Sequence, residues 1–196
     1  MRNSTRVFLA WSFLASFLTV PLAAESITYT MTGTLTGTLD GTPFFDKAFT
    51  FVFDANTADI TSPDPGVLFD EASSTSISIA GFSAGDFTQG IAVAAVPSLG
   101  RVGFADPSNT DESLVIENSG FDGWNLATTV GPFEESGAAL GSTGDFSTSL
   151  GTLVFFGGAE NVSFSATVAA VPEPATIGLI ALSLFGIALR RRMLRG

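Results

Sequence analysis

The 196-residue chain contains no cysteine and no histidine. The first absence excludes disulfides and lipoprotein attachment, so the fold must rest on its core. The second removes the commonest general base and metal ligand. Together they exclude Ser–His and Cys–His nucleophile systems. Positive charge is also scarce, with 8 Lys and Arg against 19 Asp and Glu. Between Glu25 and Ala170 the imbalance is sharper: eighteen acidic residues face two basic ones, Lys47 and Arg101, for a charge of −16. Such a domain does not bind nucleic acid by neutralising phosphates. It stays soluble by self-repulsion and can attract divalent cations. The glycine-rich stretches lack the Lys and the strand–helix context of a phosphate-binding loop. No fixed repeat period is present, which disfavours a solenoid or propeller.

Long apolar runs occur only at the two ends. Met1 to Arg6 carries two arginines, and Val7 to Val20 is apolar. Pro21 breaks the run, and Leu22-Ala23-Ala24 offers small residues for cleavage after Ala24. This is the three-part pattern of a secretory signal peptide, residues 1–24. Its partners would be the secretion translocon and signal peptidase. At the other end, Val171-Pro172-Glu173-Pro174 cannot be helical, because two prolines fix φ, remove donors and extend the residues before them. Ala175 to Leu189 follows without a charge. As a helix it would span roughly 22 Å, short of a ~30 Å hydrocarbon core. Arg190, Arg191 and Arg192 come next. Their stems can snorkel, and a basic cluster holds that end in the cytoplasm.

The order of motif, short apolar span and basic end resembles the PEP-CTERM sorting signal of Gram-negative bacteria. The resemblance covers residues 171–196 alone. It implies recognition of Val171, Pro172, Glu173 and Pro174 by an exosortase, a membrane-embedded processing enzyme. It also implies a membrane-anchored intermediate and then transfer to the cell surface or medium, in bacteria that make extracellular polysaccharide. Such a tail is appended to unrelated domains and says little of residues 25–170.

That middle segment is a quarter Ser and Thr, thirty-six residues in all. Period-two alternation dominates it. In Ile27 to Asp40, threonines 28 to 38 take one face, and Ile27, Tyr29, Met31, Leu35 and Leu39 the other. That is a strand with one wet side. Asp40-Gly41 is a turn signal leading into a second strand, Phe44–Phe53, so the pair predicts a hairpin. Further strands are expected at 74–82, 90–96, 99–105, 113–117, 124–130, 151–156 and 161–168, with loops at 54–66 and 131–144. Short strands punctuated by Gly and Pro predict an all-β chain with a single acidic β-sandwich-like domain at 25–170. That domain lies between the signal peptide and a C-terminal transmembrane helix at 175–189. Phe44, Phe49, Phe51, Phe53, Phe82, Phe104, Phe155 and Phe164 are expected to fill the space between the sheets.

Candidates for chemistry are few. Asp54, Asn56 and Asp59 share a loop, and Asp106, Asn109 and Asp111 share another; oxygen ligands so spaced would suit Ca²⁺. Neither loop matches the EF-hand pattern, and Asp and Asn are also ordinary turn residues. No other cofactor is implied. The pairs Asp70-Glu71, Asp111-Glu112 and Glu134-Glu135 would point to opposite faces of a strand and so make no acid/base couple. The threonine face suggests ice binding, but that needs a two-dimensional array, and one strand supplies a row. O-glycosylation is a second use for an exported Ser/Thr-rich segment. Trp124 and Tyr29 could stack on sugars, although single aromatics more often pack in a core. The expectation is therefore a non-enzymatic, exported surface or matrix protein, processed by an exosortase and associated with extracellular polysaccharide. The alternatives are a carbohydrate- or calcium-binding module and a permanently anchored periplasmic protein.

Overall fold

The computed structural model describes residues 25–135, 140–141, 145–156 and 159–169. The two expected membrane-directed segments, 1–24 and 171–196, lie outside them. Among the described residues there is no α-helix, and the strands form two antiparallel sheets.

In chain order the strands are β1 (Ser26–Leu39), β2 (Thr42–Asn56), β3 (Leu68–Glu71), β4 (Ser74–Ile79), β5 (Ala92–Val96) and β6 (Arg101–Asp106). β7 (Asn109–Glu117), β8 (Val130–Glu134), β9 (Leu140–Gly141), β10 (Asp145–Thr148), β11 (Gly151–Phe155) and β12 (Glu160–Val168) follow. β1 and β2 form the expected hairpin. Asp40 and Gly41 at its turn both have positive φ, 48° and 74°, the conformation that Asp-Gly favours in a two-residue hairpin.

β1 is the axis of the larger, seven-stranded sheet. One edge pairs with β2 along its length, and β4 pairs with β2 beyond. The other edge is shared: β12 takes Ile27 to Thr34, and β11 takes Gly37 to Leu39. β8 lies outside β12, and β10 outside β11. The first strand is thus completed by the last, and the Ala169 N–H donates to Ser26 O at 2.8 Å. The second sheet runs β3-β5-β6-β7-β9.

The inward faces of both sheets share one core. Phe104 of β6 has its ring centroid 5.3 Å from Phe51, 5.3 Å from Phe53 and 6.4 Å from Phe155, all in the facing sheet. Seven of the eight expected core phenylalanines are buried; Phe82 is half-buried, edge-on to Phe44 at 5.6 Å. Phe87, Phe121 and Phe146 join them from segments with no strand expectation.

Several local expectations fail: β2 runs through Asn56 into the expected 54–66 loop, β7 begins at Asn109, and β3, β9 and β10 form where no strand was expected. Residues 124–129 are not strand but an irregular loop. Leu126 has φ 66°, the Asn125 side chain accepts from the Ala127 N–H, and Trp124 Nε1–H donates to Thr128 O at 3.0 Å. These local bonds hold the loop, while Trp124 and Leu126 are buried. β8 falls where a loop was expected. Its Gly131-Pro132 breaks a central strand, but β8 is an edge strand, where proline is tolerated.

Candidate functional site

The alternation of β1 sets one face of the larger sheet apart. Its odd residues from Ile27 to Met31 are fully buried, and its threonines are half-buried on the outer side. The registers extend that outer face across four strands. Ser74, Asp54, Thr28 and Thr167 stand side by side in one row. Ser76, Val52, Thr30 and Ser165 form the next, and Ser78, Thr50, Thr32 and Ser163 the third. Every position but Val52 and Asp54 bears a hydroxyl. The single threonine row expected from sequence is therefore one column of a two-dimensional array, built by non-local pairing.

The first calcium candidates do not share a loop: Asp54 and Asn56 lie at the end of β2, paired with β1, and only Asp59 lies in the turn beyond. Asp54 Oδ1 accepts from Thr28 Oγ1–H at 2.6 Å, and Oδ2 from Ser74 Oγ–H at 2.9 Å. Asn56 Oδ1 accepts from the Ala58 N–H at 2.9 Å, an Asx turn. Asp106, Asn109 and Asp111 do not share a loop either: Asp106 ends β6 and the other two lie in β7. Asp106 accepts from Ser108 N–H and Oγ–H at Oδ1 and from Gln89 Nε2–H at Oδ2. Among the described residues no three His, Cys, Asp or Glu side chains converge as a metal site.

In the core, against Tyr29 of β1, lies a polar group of the facing sheet that alternation alone did not single out. Asp70 of β3 is fully buried, and Tyr29 Oη–H donates to its Oδ2 at 2.5 Å. Leu126 O lies 2.9 Å from the same Oη. Tyr29 has one hydroxyl proton and two acceptors. A protonated Asp70 could donate to Oη and free that proton for Leu126 O; an ionised Asp70 leaves the two acceptors in competition. Asp70 Oδ1 has no partner among the described residues. Burial raises the Asp70 carboxyl to about 6; the Tyr29 hydrogen bond pulls the other way, and the charge of Asp59 adds to the rise. The Tyr29 hydroxyl is itself pushed well up, by burial first and then by Asp70. Glu135, after β8, is raised to about 7 by burial, and its Oε2 has no partner among the described residues. Asp70 is buried and its neighbour Glu71 exposed, as strand alternation requires. Tyr29 and Trp124 pack against each other edge-on at 6.2 Å within the core, so neither offers a face to a sugar.

The expected processing residues, Ala24, Val171, Pro172, Glu173, Pro174 and Arg190 to Arg192, lie outside the described residues. Among the described residues no helix is long and apolar enough to cross a membrane. Residues 170–192 match the family model of the PEP-CTERM protein-sorting motif. No curated protein and no solved structure matches the chain.

Proposed function

We propose that this chain is an exported, non-enzymatic surface or matrix protein of a Gram-negative bacterium, associated with extracellular polysaccharide and released by an exosortase. The single observation that carries the reading is the match of residues 170–192 to the sorting motif. That motif implies an exosortase as processing partner and a membrane-anchored intermediate on the way to the surface. The signal-peptide pattern of residues 1–24 supports entry through the secretion translocon, with signal peptidase cutting after Ala24. The Arg190–Arg192 cluster would keep the last residues in the cytoplasm until the motif is cut. A non-catalytic domain is supported by the interior: its buried carboxylate is tied to a core tyrosine rather than to an open cleft.

The test is the intact mass of the protein recovered from culture medium and from membranes. A secreted species beginning near Glu25 and ending near the Val171–Pro174 segment is expected. Pro174→Ala should leave export intact and accumulate the membrane-bound form, and Ser at positions 190 to 192 should weaken retention. A membrane-only species still ending at Gly196 would show a permanent anchor and overturn the processing step.

A further inference from the structure

We propose that the hydroxyl-bearing outer face of the seven-stranded sheet is a docking surface for a neutral polysaccharide. The inference rests on the polysaccharide association proposed above and names the surface that would carry it.

The first observation is chemical density without free charge. Across the three rows centred on Thr28, Thr30 and Thr32, the only charged side chain is Asp54. Both of its oxygens are taken by hydroxyls of the same face. Each Ser or Thr hydroxyl both donates and accepts, so the face offers the same mixed donor–acceptor chemistry as the hydroxyls of a sugar chain.

The second observation is aromatic and independent of the first. Phe44 and Phe155 are buried, and both pair with Gly37 of β1 from opposite sides. Their neighbours Phe45, in β2, and Phe156, just past the end of β11, are exposed. They are the most exposed large apolar residues among those described, at 67% and 54%. The Phe156 N–H donates to Thr36 O and the Asp46 N–H to Thr36 Oγ1, so both phenylalanines belong to backbone beside Thr36 at the far end of the threonine column. The exposed Asp46 carboxylate also accepts from Thr36 Oγ1–H there. Exposed rings beside a polyol surface suit the apolar faces of pyranose rings.

Charge selects the polymer. Residues 25–170 carry −16. Glu134 stands opposite Ser163 and Glu160 opposite Thr34, at the fringe of the array. An anionic polymer meets repulsion there, and a neutral one does not. Geometry argues against an ice lattice. Neighbouring strands rotate by roughly 20–25°, so across four strands the rows turn by roughly 60–75° and cannot follow a flat crystal plane. A flexible chain can follow that twist. A second copy of the protein would bury mainly hydroxyls and little apolar area, a poor basis for a stable dimer. Each hydroxyl contact is weak, so binding should grow with polymer length through many simultaneous contacts.

The experiment is affinity electrophoresis of the full chain in non-ionic detergent, through gels containing hydroxyethylcellulose or, as the anionic comparison, alginate. Retardation by the neutral polymer and none by alginate is expected. The double variant Phe45→Ala/Phe156→Ala should lower the affinity about tenfold with an unchanged melting temperature. Thr30→Glu/Ser165→Glu should abolish retardation, with folding checked by circular dichroism. Equal retardation of the parent and both variants would overturn this face while leaving polysaccharide association standing on another surface. Retention on neither polymer overturns the face as well, and so does ice-growth inhibition in its absence. If the processed protein also fails to bind the polymer of its own cells, the association itself falls.

Discussion

Along β1 successive side chains enter two environments held together by different physics. Inward, Tyr29, Met31 and Leu35 meet rings and aliphatic groups from the facing sheet. Close packing there leaves no slack, and a deleted ring leaves a void. Gly37 shows how tight it is: a Cβ at that position would run into the Val154 backbone carbonyl. Outward, the threonines meet only their cross-strand neighbours, and such pairs contribute a few tenths of a kcal/mol each. The same contrast separates two aspartates. Asp54, outside, has a hydroxyl for each oxygen. Asp70, inside, has a donor for one oxygen and, among the described residues, none for the other. The inner face therefore specifies the fold. The outer face can carry a regular chemical pattern because the fold does not depend on it.

The contrast can be broken most directly by truncation. Phe104→Ala should cost about 4 kcal/mol in urea unfolding, from lost burial and the cavity left among its ring neighbours. Thr30→Ala, on the outer face, should change stability by less than about 0.5 kcal/mol. Comparable losses at both sites would end the division between faces.

The aspartates sharpen it. The folded value of Asp70 lies above its ordinary one, so the folded state holds that proton more tightly than the unfolded chain does. The stability this gives is full below the ordinary carboxyl range and is lost as pH rises through about 6. Asp70→Asn, which mimics the protonated group, should remove the loss, leaving the variant about 3 kcal/mol more stable than the parent at pH 8 and similar at pH 4. Melting temperatures across that range measure it, and a variant less stable than the parent at pH 8 would count against the buried-acid account. Asp54→Asn should instead cost on the order of 1 kcal/mol, by weakening two hydrogen bonds to a charged acceptor. The smallest effect belongs to the exposed Arg101–Glu117 pair, 2.9 Å apart. Arg101→Ala should cost less than about 1 kcal/mol, and the cost should shrink in high salt.

Much of the inner face was legible from period-two patterning, because burial leaves its mark on consecutive residues of one strand. The β1–β2 hairpin, its Asp-Gly turn and most of the phenylalanine core belong to this class. The hydroxyl array did not. Its columns are each visible in sequence, yet Ser76 and Ser165 sit in line with Thr30 only through non-local registers that no local pattern encodes. Residues 124–129 misled for the opposite reason. Trp124 and Leu126 are buried like strand residues, but a positive φ and local side-chain bonds place them there from a loop. Phe121 and Phe146 went unassigned because they also enter the core from segments without a long alternating run.

The pairing of the first strand with the last has a consequence for timing. β1 leaves half of one edge open until β12 arrives, from the far end of the domain. In a chain threaded through a membrane from its N-terminus, every strand up to β11 is across while that place is still empty. The larger sheet, with contacts of such long sequence separation, is slow to assemble and sticky until complete. The sorting motif begins at residue 170, two residues after β12 ends. The larger sheet therefore cannot close on β12 before the chain is complete to about residue 168, and hardly any sequence separates that closing strand from the matched motif.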